Sequence, residues 1–116
     1  MEYFKSKKIA GTTMKATRLK VEEVLKKEGF GVLTEIDIQA TMKKKLDKDY
    51  LPHIILGACN PQFADKVLSV DQHISLMLPC NITIRELKNE MIEVAIINPL
   101  EVMKSIGNPK IETYAK

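Results

Sequence analysis

Apolar residues in this sequence switch repeatedly between a spacing of two and a spacing of three or four, with Gly, Asp or Asn-Pro at most of the switches. Short, unlike segments of this kind bury their apolar sides only by layering helices on a sheet, and none is long enough to span a bilayer. No Gly/Pro/Ser-rich stretch divides them. The expectation is one domain over residues 1–116.

Residues 3–9 alternate apolar and polar as a strand does, and their lysines mark a sheet edge. Gly11 breaks the run. Thr12 or Thr13 then caps a helix that carries Met14, Val21 and Leu25 on one stripe and ends at Gly29. Residues 30–36 are strand formers that follow at once, so the first three segments read as a β-α-β unit. Asp37 caps a short helix with Ile38, Met42 and Leu46 on one face and Lys43, Lys44 and Lys45 in solvent.

Residues 53–58 read as a buried strand, and Asn60-Pro61 opens a helix anchored by Phe63, Val67 and Leu68. Residues 74–78 are expected to form another buried strand, broken by Pro79 and resumed over 80–87. Lys88, Asn89 and Glu90 make a hairpin turn into a strand over 91–97, with Ile92, Val94 and Ile96 on one face. Asn98-Pro99 starts a helix carrying Leu100, Met103 and Ile106 and ended by Gly107, and Asn108-Pro109 opens a last segment. The fold class is α+β in two layers, with helices packed on one face of a mixed or antiparallel sheet.

Charge and cysteine usage narrow the setting. The N-terminus has charges where a signal peptide would be apolar, and two cysteines are too few for a disulfide scaffold, so a cytoplasmic protein with reduced thiols and no membrane partner is expected. The net charge is +3, spread over helix faces except for Lys5, Lys7, Lys8 and Lys43, Lys44, Lys45, which could meet and attract phosphate. With no aromatic interleaving and no Trp, nucleic acid is not an expected partner.

Three blocks carry a resemblance. Gly57-Ala58-Cys59-Asn60-Pro61, the later Leu78-Pro79-Cys80-Asn81, and the earlier run from Gly29-Phe30-Gly31 to Glu35-Ile36-Asp37 stand in the order found in domain-of-unknown-function family 302 (DUF302). The chain resembles that family over nearly its whole length. The resemblance implies a compact α+β fold and a homodimer, and implies no activity.

Candidate sites follow from the same blocks. Cys59 precedes a helix start, where free amides and the helix dipole favour a thiolate, and Cys80 follows a strand-breaking Pro. If both turns reach one end of the sheet, Gly57, Cys59, Asn60, Pro61, Pro79, Cys80 and Asn81 could line a cleft for a small ligand, with Cys59 and Cys80 able to meet a soft cation or redox chemistry. Against this, three of the five prolines follow Asn, so Asn-Pro also reads as a capping habit, and Cys also serves as an apolar filler.

Glu35 and Asp37 share one side of a strand end and could do acid–base work or bind a hard cation, although Asp37 is also an N-cap and Glu35 an ordinary solvated residue. His53 and His73 lack the close spacing of a zinc site, Gly29-Phe30-Gly31 lacks the rest of a nucleotide loop, and no Gly-x-Ser-x-Gly elbow occurs. The sequence specifies no cofactor and no reaction. Its leading reading is a ligand-binding or accessory domain with its cleft at residues 57–61 and 79–81. The alternatives are a redox-active or soft-metal-binding cysteine protein and a structural interaction module.

Overall fold

The computed structural model describes residues 3–98. The sequence readings at Asn98-Pro99 and beyond, including the helix with Leu100, Met103 and Ile106, lie outside the described residues.

Strands β1 (Phe4–Ile9), β2 (Gly31–Asp37), β3 (His53–Cys59), β4 (Cys80–Glu86) and β5 (Ile92–Ile97) form one sheet in the order β1-β5-β4-β3-β2. Every neighbouring pair is antiparallel. Helix α1 (Met14–Lys27) joins β1 to β2, α2 (Ile38–Leu46) joins β2 to β3, and α3 (Pro61–Val70) with a 3-10 helix (Gln72–Met77) joins β3 to β4.

The β-α-β reading of the first three segments needs qualifying. β1 and β2 do run the same way, but three antiparallel strands separate them, and each forms an edge. Their exposed lysines, threonine and carboxylates suit that position.

One face of the sheet packs on α1. Leu56, Ala58, Ile82, Ile84 and Ile92 are buried there against Met14, Val21 and Leu25 of the helix. Because strand side chains alternate, Ile55, Gly57 and Cys59 of β3 and Asn81, Thr83 and Arg85 of β4 fall to the other face. A register shift between Val32 and Thr34 makes Leu33 an extra residue in β2, so that Val32 and Glu35 both belong to the α1 side despite their odd spacing.

Local capping fixes the ends of α1. The Thr13 hydroxyl accepts from the Ala16 amide at 3.1 Å, and at the far end Gly29, with φ +82°, lets the Phe30 amide reach the Leu25 carbonyl at 2.9 Å. Asp37 caps α2 through the Ala40 amide at 2.9 Å. The lysine clusters do not meet, because β1 lies at one edge and α2 packs near β3 towards the other. Lys43 pairs with Asp47 and Asp49 at 3.0 and 3.2 Å, in solvent, where such pairs contribute little.

Residues 74–78 are not a strand. They belong largely to the 3-10 helix, which Asp71 starts by accepting from the His73 amide at 2.9 Å while the Leu78 amide closes onto Ser75. Ile74 is buried with Val67 among Phe63, Leu68, Val70 and Leu78, forming a second small core, whereas Leu76 is 85% exposed. An alternating strand would have put Ile74 and Leu76 on one face. The cap residue Asp71 outweighs the strand propensity of a short apolar run.

Candidate functional site

The turns after β3 and before β4 do lie at one end of the sheet, because Gly57 pairs with Asn81 and Ala58 with Cys80. Space at Gly57 is already taken. A Cβ there would stand 2.6 Å from Pro79 Cγ and closer still to Thr34 Oγ1, so Pro79 and Thr34 close over the glycine. Asn60 is the N-cap of α3, accepting from the Gln62 and Phe63 amides at 3.1 and 3.2 Å, with Pro61 in the first turn and its own amide nitrogen against Gly29.

Cys59 and Cys80 are both free and half-buried. Cys80 pairs with Ala58, the residue before Cys59, so alternation sends the two side chains towards opposite faces of the same sheet end. Burial pushes the Cys80 thiol up from its ordinary range, and the neighbouring Cys59 adds to the effect. The turns are together, and the two side chains point to opposite faces of the sheet end.

Glu35 and Asp37 border a shallow hollow of about 290 Å³ with Met14, Lys15, Gln39 and His53. Each carboxylate already has a partner. Glu35 accepts from Arg18 Nε, while Arg18 also bonds Glu22 at 2.7 Å, and these acids hold the guanidinium more firmly protonated. Burial pushes His53 down, the facing Arg85 reinforcing this and Glu93 opposing it. His53, Arg85, Glu93 and Lys8 form one rung across β3, β4, β5 and β1, with Arg85 and Glu93 paired at 2.7 Å. His73 is far more exposed, its side chain 91% accessible on the 3-10 helix. Among the described residues no three His, Cys, Asp or Glu side chains are grouped to hold a metal ion.

A larger opening lies away from every candidate residue named above. Between α1 and the β1, β5 and β4 side of the sheet runs a groove of about 560 Å³. Ala16, Thr17, Lys20, Val21, Val24 and Leu25 form its helix wall, and Ile82, Val94 and Ile96 with Lys7 and Ile9 form its sheet wall. The stripe Ala16, Lys20, Val24 flanks the buried stripe of α1, and only the pairing of β1 with β5 brings Lys7 and Ile9 opposite it. That long-range pairing leaves no local trace in sequence.

Residues 5–116 match the family described as "Domain of unknown function DUF302". The chain belongs to this family. The crystal structure of an uncharacterized conserved DUF302 protein from Bacillus stearothermophilus is similar to this chain with a TM-score of 0.90 and 27% identity, covering 99% of this chain and 88% of that one. A comparison with curated proteins finds no match. Neither DUF302 comparison indicates a specific function. No helix among the described residues of this DUF302 chain is long and apolar enough to cross a membrane.

Proposed function

We propose that this DUF302 chain is a cytoplasmic small-molecule-binding domain whose ligand sits in the groove between α1 and the β1-β5-β4 side of the sheet. The observation that carries the reading is the groove itself. Its volume of about 560 Å³ suits a small ligand, and its walls are predominantly aliphatic. The turn cluster of Gly57, Asn60, Pro61 and Pro79 is better filled: Pro79 covers Gly57, and Asn60 is occupied in capping α3.

A neutral apolar probe tests the groove. N-phenyl-1-naphthylamine should show saturable fluorescence enhancement with the native chain, and Val24→Asp, which places a charge on a half-exposed groove position, should weaken binding by about tenfold or more. Circular dichroism would verify that the variant is folded. Equal binding by both chains would remove the groove as the site.

A second reading puts thiol chemistry or a soft cation at Cys59, and the supporting observation is that this residue directly precedes the capped start of α3, a helix of 10 residues. Burial pushes the Cys80 thiol up, which leaves less of it as the reactive thiolate at neutral pH. In a pH series of iodoacetamide labelling, Cys59 in the Cys80→Ser variant should label several-fold faster at neutral pH than Cys80 in Cys59→Ser. The Cys80 rate should go on climbing into alkali. If both thiols label slowly until the protein is denatured, they are packing groups and the thiol reading falls.

The chain is also proposed to self-associate, as the exposed apolar residues Leu33, Leu46, Leu51 and Leu76 would allow. Light scattering that gives the mass of one chain would remove this part of the proposal.

A further inference from the structure

We infer that the groove under α1 takes a single-chain amphiphile with an anionic head, held by Lys7 and Lys20. This rests on the reading of the groove as a binding site and adds the chemical class of its ligand.

The charges that the described residues bring to the groove have one sign. Lys7 from β1 and Lys20 from α1 both line it, and among the described residues no carboxylate does. Neither lysine has an ion-pair partner among the described residues. The hydroxyl of Thr17, deeper in the helix wall, is already donated to the Thr13 carbonyl at 2.8 Å. The two ammonium groups are therefore the principal uncommitted donors at an otherwise aliphatic surface.

Lysine stems lie along apolar walls while their heads reach the mouth, so the positions suit a ligand with its chain inside and its negative charge at the rim. An uncharged chain would use the walls but leave both ammonium groups uncompensated. A cationic amphiphile would face repulsion from two sides.

The same charges argue against a second copy as occupant. A twofold contact through this groove would bring Lys7 and Lys20 near their own counterparts, with no acid among the described residues of the lining to offset them.

Calorimetric titration of the full chain with decanoate, 1-decanol and decyltrimethylammonium, each below its micelle concentration, tests the assignment. Decanoate should bind about tenfold more tightly than 1-decanol, the cation should bind most weakly, and raised salt should narrow the gap. The double variant Lys7→Gln/Lys20→Gln should bring decanoate down to the level of 1-decanol and leave 1-decanol unchanged. Decanol binding equal to decanoate in the native chain would overturn the anionic head while leaving the groove reading intact. No binding by any of the three would overturn both. Light scattering on the same samples adds a further arm: a native dimer that becomes a monomer in Val24→Asp would assign the groove to a second copy and overturn the ligand.

Discussion

Gly57→Ala is expected to destabilise the fold by about 1–3 kcal/mol, although glycine to alanine in a strand usually stabilises. The sign is reversed by what surrounds the position. The added methyl would stand 2.6 Å from Pro79 Cγ, and Thr34 Oγ1 is nearer still. Thr34 can turn its hydroxyl away because β2 is an exposed edge, but the ring of Pro79 has no such freedom. Gly57 is itself buried in a central strand, between β2 and β4, so the backbone cannot retreat without disturbing two ladders. Urea unfolding of Gly57→Ala, Thr34→Ala and the double variant measures this. The double variant should recover part of the loss, since the two sites touch. A Gly57→Ala chain as stable as the native one would show that the turn before β4 is not closed over this residue.

The Gly57 contact illustrates what could be read in advance and what could not. Local signals located nearly every element. Thr13, Asp37 and Asn60 cap the helices as their side chains predict, and Gly29 ends α1 in the left-handed conformation. These are short-range hydrogen bonds, and a single sequence carries them. Residues 74–78 were misread because a short apolar run fits a strand and a 3-10 helix equally well by composition, and the deciding residue, Asp71, stands outside the run.

Strand order lay beyond local reading. Nothing near Tyr3 or Ile9 states that β1 pairs with β5, yet that pairing places Lys7 and Ile9 across the groove from Lys20 and Val24. The candidate site was legible only as neighbours along the chain. Whether the turns at Cys59 and Cys80 share one end of the sheet is open in the sequence; the pairing of Gly57 with Asn81 and of Ala58 with Cys80 places the turns and sets which face each side chain takes. Glu35 and Asp37 share a side as their spacing requires, while the partner of Glu35, Arg18, comes from a helix seventeen residues earlier.

Leu56→Ala is expected to lose roughly 2–5 kcal/mol, a large part of the stability of a domain this size. Leu56 is fully buried in β3, opposite Glu35 of β2 and Ile82 of β4, and belongs to the core packed on α1. Truncation removes the transfer energy of the lost methyl and methylene groups and also leaves a cavity. The walls of that cavity cannot collapse readily, because β3 is held on both sides by antiparallel partners. Leu76→Ala provides the contrast. Leu76 is 85% exposed on the 3-10 helix, so its removal should change stability by no more than about 0.5 kcal/mol. In thermal denaturation Leu56→Ala should melt roughly ten degrees or more below the native chain, while Leu76→Ala should melt alongside it. Equal losses from the two substitutions would mean that the core is not where β3, β4 and α1 meet. A large loss from Leu76→Ala alone would mean that the 3-10 helix is covered in solution, and the apolar surface around it would then be the contact between two copies.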